Sequence, residues 1–173
     1  MAHAGLEVVR LICLGIDPSS TAVGLALIPL DDPKAARLHT VHPPKKEPGV
    51  KLDLPALTQS IVEEVVSWVG IAPDLVAIEE PFVEFPRAAL PIAWICGGLA
   101  AAFSAAEVIV APHASWKRAL CGRGNPDARA IRMMLGAMGY MPDTEHEASA
   151  LGVALWAISR RIASESGLKG ETR

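Results

Sequence analysis

Cysteine is scarce. Cys13, Cys96 and Cys121 are the only three in 173 residues. They lie too far apart for a zinc motif, and their odd number argues against a disulfide framework. They read as reduced thiols, which points to the cytoplasm. Neither sign of charge is in large excess: 16 Lys and Arg face 19 Asp and Glu, for a formal net charge of −3. Whole-molecule charge therefore does not announce a nucleic-acid binder, although a local basic patch beside an acidic site can still hold phosphates. A strongly apolar run of membrane length is missing as well. Ala88 to Ala106 carries no charge, but Pro91 and Gly97-Gly98 interrupt it and much of it is alanine. A lone span needs ~20 strongly apolar residues, so a buried helix at a subunit interface is the expectation, with no membrane partner. No N-terminal leader, internal repeat or second domain is evident.

What is present is apolar patterning. Hydrophobic residues make up 51% of the chain, enough for one substantial core in a single domain of residues 1–173. Leu11 to Ile16 and Ala22 to Pro29 are apolar runs around the polar turn Asp17-Pro18-Ser19-Ser20, the pattern of a β-hairpin. Arg37 to His42 is a candidate third strand. Pro43 to Val50, with three prolines and two lysines, reads as an exposed loop. Asp53 caps an expected helix with Pro55 in its first turn, and Leu57, Ile61, Val65 and Trp68 recur at helical spacing. Gly70 and Pro73 end it. Leu75 to Ile78 and Val108 to Ala111 are short buried strands on either side of the uncharged helix. Pro126 to Met138 and Glu145 to Ile158 complete the helices, and residues 160–173 are expected to form a flexible tail. This order predicts an α/β fold with a mixed sheet.

The chemistry-bearing residues stand at element ends. Asp17 and Glu79 each leave a buried strand, where a carboxylate is rigidly held and partly desolvated. Two such groups on neighbouring strands could share a divalent cation, because Mg²⁺ prefers oxygen ligands. Each alone could equally be a polar residue opening a loop. The helix start Glu145-His146-Glu147-Ala148-Ser149 supplies the third element. His146 and Ser149, three apart, share a face, and so do Glu145 and Ser149 at four apart. Thr144 with Glu147 also fits a capping box, a role compatible with the first.

Three segments in order give a resemblance. Gly15 to Gly24, Val76-Ala77-Ile78-Glu79-Glu80-Pro81-Phe82 and His146-Glu147-Ala148-Ser149-Ala150-Leu151 resemble the acidic motifs of the RuvC Holliday-junction resolvases. The resemblance implies an RNase H-like fold and an endonuclease that cuts four-way or branched DNA symmetrically, as a homodimer. It implies a site of Asp17, Glu79 and His146 holding two Mg²⁺ or Mn²⁺ ions, and a product with a 5′ phosphate. Phe82 matches an aromatic that stacks at the junction centre, with a core phenylalanine as the plain alternative. Lys117 and Arg129 match lysines on the DNA backbone. Arg118 and Arg123 join them in a basic stretch whose glycines leave backbone N–H groups open to phosphates.

Ser149 departs from the pattern, since the family places a carboxylate there. A neutral hydroxyl is a poor substitute on Mg²⁺. Three readings stay open: a serine that disables cleavage, a charge supplied by Glu145 or Glu147, or a protein that binds junctions without cutting. An actin-like ATPase or kinase is a rival from another class, but Pro18 and Ser19-Ser20 stand where its phosphate loop needs glycine. His3, His39, His42 and His113 lack metal-ligand spacing. Trp68, Trp94 and Trp156 are expected in the core, with Trp116 partly exposed.

Overall fold

The computed structural model describes residues 11–44, 49, 52–81 and 86–167, without the side chains of 86–88. Phe82 and most of the proline-rich loop from 43 to 50 fall outside the described residues.

The hairpin forms as its pattern predicts. β1 (Ile12–Pro18) and β2 (Val23–Pro29) pair antiparallel, with Asp17 opposite Gly24. β3 (Arg37–Val41) extends the hairpin on the outside of β2. α1 (Leu54–Val69) starts at Asp53, whose carboxylate accepts from the Ala56 N–H, and stops at Gly70 in the left-handed region with φ 68°. The chain then returns as β4 (Leu75–Glu79), parallel to β1, and after α2 (Pro86–Ala102) as β5 (Glu107–Ala111), parallel to β4. The sheet order is β3-β2-β1-β4-β5. α3 (His113–Cys121), α4 (Ala128–Ala137) and α5 (Glu145–Glu165) follow.

Strand alternation sorts the core into two layers. Leu14, Ile16, Val76 and Ile78 face the α1 and α2 side with Ile61, Val65, Ile95 and Leu99. Cys13, Ala77, Ala26 and Ile28 face α5, joined by Leu151, Ala154 and Trp116. Asp17 has the parity of Cys13, and Glu79 that of Ala77. Both carboxylates therefore leave the sheet on the α5 side, at the C-terminal ends of adjacent parallel strands. That is where ligand sites collect in sheets of this kind.

Small residues let α5 lie directly on the sheet. A β-carbon on Gly15 would stand 2.1 Å from the Ala150 carbonyl oxygen, and one on Gly24 would stand 2.1 Å from that of His146. The capping box forms at the helix start. Thr144 Oγ1 accepts from the Glu147 N–H at 3.0 Å, and Glu147 Oε2 accepts from the Thr144 N–H at 3.4 Å and the Asp143 N–H at 2.8 Å. Such a cap stabilises a helix end by ~1 kcal/mol. Thr40 Oγ1, 2.8 Å from Thr144 Oγ1, ties it to β3.

Four expectations are corrected. α5 does not end at Ile158 but runs to Glu165, because Arg160 stacks over Trp156 and Arg161 pairs with Glu107 and Glu165. Residues 160–165 are therefore helix rather than flexible tail. α3 carries a segment read as a basic surface stretch. Trp116 is fully buried rather than partly exposed. Trp94 leaves the core and is 46% exposed on α2, beside Leu90 at 56%. Among the described residues, no helix is long and apolar enough to cross a membrane.

Candidate active site

The site is assembled by β1, β4, α3 and α5. Ile16 and Ile78 are partners in the parallel β1–β4 ladder, so the next residues on, Asp17 and Glu79, emerge side by side, near enough for the charge of one to act on the other. α5 lies over this pair and brings His146, whose Nδ1 is 2.8 Å from Asp17 Oδ2. Asp17 thus neighbours both Glu79 and His146.

Glu79 is gripped by α3. His113 and Trp116, three residues apart, and Lys117, four on from His113, share one face of that helix. Trp116 Nε1 donates to Glu79 Oε1 at 2.9 Å, and His113 Nδ1 lies 2.6 Å from the same oxygen. Lys117 Nζ stands 2.6 Å from His113 Nε2. His113, read from the sequence as an ordinary histidine, is therefore part of the site, as is Trp116. The signal that could have found them was their helical spacing after the β5 strand, hidden because α3 is short and reads as a basic stretch.

The electrostatics follow from the crowding. Burial, and then the like charge of Asp17, push Glu79 up to about 8, against the opposing hydrogen bond from Trp116 and the charge of Lys117. Without a cation the pair therefore keeps a proton near neutrality. His146 is raised above the usual imidazole value by its hydrogen bond to Asp17, which outweighs burial. His113 is lowered, first by burial and then by Lys117.

The remaining expected residues are placed as follows. Ser149 is half-buried and lines a cavity of about 130 Å³ with Lys117, Glu145, Pro126 and Ile131. Lys117 thus reaches both Glu79's partner and the space beside Ser149. Glu147 is buried and committed to the capping box, which removes it as the source of the missing charge. Glu145 is exposed at the same cavity's rim. Arg129 is exposed and lines a neighbouring cavity of about 380 Å³ with Arg132 and Glu145. Arg118 and Arg123 are exposed on and after α3.

The donor set fits a divalent cation. Two carboxylates on rigid strands repel each other, one of them is buried, and oxygen donors with an imidazole suit a divalent metal. Among the described residues no three such side chains already surround a common point. Asp17 instead pairs with His146, and that contact must open for both to hold an ion, whereas Glu79 meets His113 through Oε1 alone.

The comparisons agree with this geometry. A family model described as crossover junction endodeoxyribonuclease RuvC matches residues 13–157. Among solved structures, Thermus thermophilus RuvC in complex with Holliday junction substrate superposes with a TM-score of 0.71 at 26% identity, over 90% of this chain and 98% of that one. Another Thermus thermophilus RuvC structure superposes at 0.67 with 25% identity, over 88% and 97%. No curated protein sequence matches the chain.

Proposed function

Since this chain belongs to the RuvC family of crossover junction endodeoxyribonucleases, we propose that it cuts four-way or branched DNA junctions with a divalent metal, in the cytoplasm. One observation carries the reading: Asp17 and Glu79 leave adjacent parallel strands on the same face, and α5 sets His146 against Asp17 at 2.8 Å. Family membership sets the ATPase or kinase alternative aside.

The family depends on divalent metal. Asp17, Glu79 and His146 would hold Mg²⁺ or Mn²⁺, two ions per site. Bound there, the metal supplies Lewis acidity toward a phosphate oxygen and a more acidic water. With a cation held there, Glu79 would give up its proton, because the positive charge would offset the carboxylate's repulsion from Asp17. Trp116 keeps Glu79 Oε1 in place throughout. Lys117, at the edge of the cluster, meets the DNA phosphate and offsets its repulsion from the acidic pair. Arg129 extends the positive rim, and Arg118 and Arg123 contact the duplex arms farther out. Phe82, three residues beyond Glu79, stacks on an unpaired base at the junction centre.

A four-way junction has approximate two-fold symmetry, which a C₂ dimer matches with two identical sites. α2 is the proposed contact. It exposes Leu90 and Trp94 beside a groove of about 670 Å³ shared with α1.

Ser149 favours a second reading, a junction-binding protein with weak or no cleavage, since its hydroxyl brings no charge to the site. The test is a nicking assay on synthetic four-way junctions with Mg²⁺ or Mn²⁺. The parent chain should cut, and Asp17→Asn should not. Cutting that appears only in Ser149→Asp supports the impaired reading, and none in either version defeats the nuclease proposal.

A further inference from the structure

Two residues of α3 and Glu79 of β4 make a chain of contacts that the family motifs do not describe. Lys117 Nζ, His113 Nε2, His113 Nδ1 and Glu79 Oε1 lie in succession, with both contacts at 2.6 Å. A lysine ammonium offers only donors, so His113 Nε2 must accept. A neutral imidazole then carries its proton on Nδ1 and donates to Glu79 Oε1. That oxygen already accepts from Trp116, so it has two donors and needs no proton of its own. Any proton on Glu79 sits on the other oxygen. The tautomer of His113 is thus fixed from both ends.

The ring is well suited to this work. A lysine has four rotatable bonds and sweeps a wide volume unless something holds its tip. Ser149, across the shared cavity, offers Lys117 no opposite charge. The imidazole reaches it one helical turn along α3, from i to i+4, and is itself anchored to a buried carboxylate.

We propose that His113 is a positioning residue, whose imidazole straps the Lys117 ammonium to Glu79 and so aims the lysine at the phosphate beside the carboxylates. The proposal rests on the junction-nuclease reading for the phosphate, but the strap itself does not. One hydrogen of the ammonium is used by the ring, which leaves two for phosphate oxygens, with the Trp116 ring centroid 5.3 Å away.

The test uses the full chain without divalent metal, in EDTA, binding a synthetic four-way junction over a range of salt. Each phosphate neutralised contributes about 0.9 to the slope of log affinity against log salt. His113→Phe keeps the ring and removes both nitrogens. It should lower the slope by about 0.9, as should Lys117→Ala, and the double variant should lose no more. His113→Gln has a donor and an acceptor at comparable reach and should recover most of the slope. A full slope in His113→Phe, or independent losses in the double variant, would overturn the strap.

Imidazole ¹⁵N spectra read the contact without DNA. His113 should show the Nδ1–H tautomer in the parent chain and lose that preference in Lys117→Ala. An unchanged spectrum overturns the proposal. Failure of the nuclease reading looks different: the parent chain then neither binds nor cuts junctions, and the spectra alone decide on the strap.

Discussion

The carbonyl oxygen of His146 stands 2.1 Å from the point where a β-carbon on Gly24 would be. Gly24 is also the ladder partner of Asp17. One missing side chain therefore lets α5 descend far enough for His146 to reach Asp17. Gly24→Ala must push the helix start away from the sheet or strain the hairpin. Overpacking of this kind costs roughly 1–3 kcal/mol. The expected outcome is a lower urea midpoint together with loss of junction cleavage. An unchanged midpoint with full cleavage would show that the approach is not needed.

Ser149 faces a cavity of about 130 Å³ that also contains Lys117 and Glu145. A carboxylate there would add negative charge one helical turn from His146, without displacing the capping box. Ser149→Asp should tighten Mn²⁺ binding at least about tenfold, or ~1.4 kcal/mol, by calorimetry, and raise the cleavage rate. Unaltered affinity would mean that residue 149 does not face the ion.

The hairpin, the three motif positions and the capping box were legible because each rests on local spacing. Alternation put Asp17 and Glu79 at strand exits, and the three-residue step put His146 and Ser149 on one face. α3 was not legible. Its nine residues hold two basic side chains and a tryptophan, and nothing in that short pattern shows that Trp116 is buried against Gly152 of α5. A β-carbon on Gly152 would come 2.5 Å from the indole. That fit depends on two segments far apart in the chain, as does the exposure of Trp94. Burial of a single aromatic is decided by what the tertiary fold places over it.

The acidic pair gives the metal-free protein a pH dependence. Glu79 is raised from 4.5 to about 8 in the fold by burial and by Asp17. The unfolded chain loses this proton first as pH rises. The Glu79 contribution to stability is therefore full below about pH 4.5, falls as pH climbs toward 8, and levels off beyond. In EDTA the urea midpoint should decline across that window, and Glu79→Gln should flatten the decline. Added divalent cation should stabilise the parent chain more at pH 8 than at pH 6. A midpoint rising with pH, with no difference in Glu79→Gln, would contradict the assignment.

Trp116 is fully buried and its indole N–H donates to Glu79 Oε1 at 2.9 Å. Trp116→Phe removes that donor and leaves the carboxylate short of a partner. Stranding a buried polar group costs ~1–3 kcal/mol, with a further loss from the smaller ring. The variant should unfold at lower urea and bind Mn²⁺ more weakly, because ionised Glu79 loses a hydrogen bond that favours its charged form. A variant with lower stability and unaltered Mn²⁺ affinity would confine Trp116 to packing.

Trp94 is 46% exposed and sits with Leu90 on the rim of the groove between α1 and α2. A large aromatic beside an apolar groove has the composition of an interface centre, where truncation typically costs ~2 kcal/mol or more of association free energy. Trp94→Glu places a charge there without touching the carboxylates, which lie on the opposite side of the sheet. Sedimentation should show a dimer in the parent chain and a monomer in the variant at micromolar concentration. Each monomer keeps its own site but can no longer present two to one junction. Paired incisions should therefore give way to single nicks. If the variant stays dimeric and still makes paired cuts, α2 is not the contact.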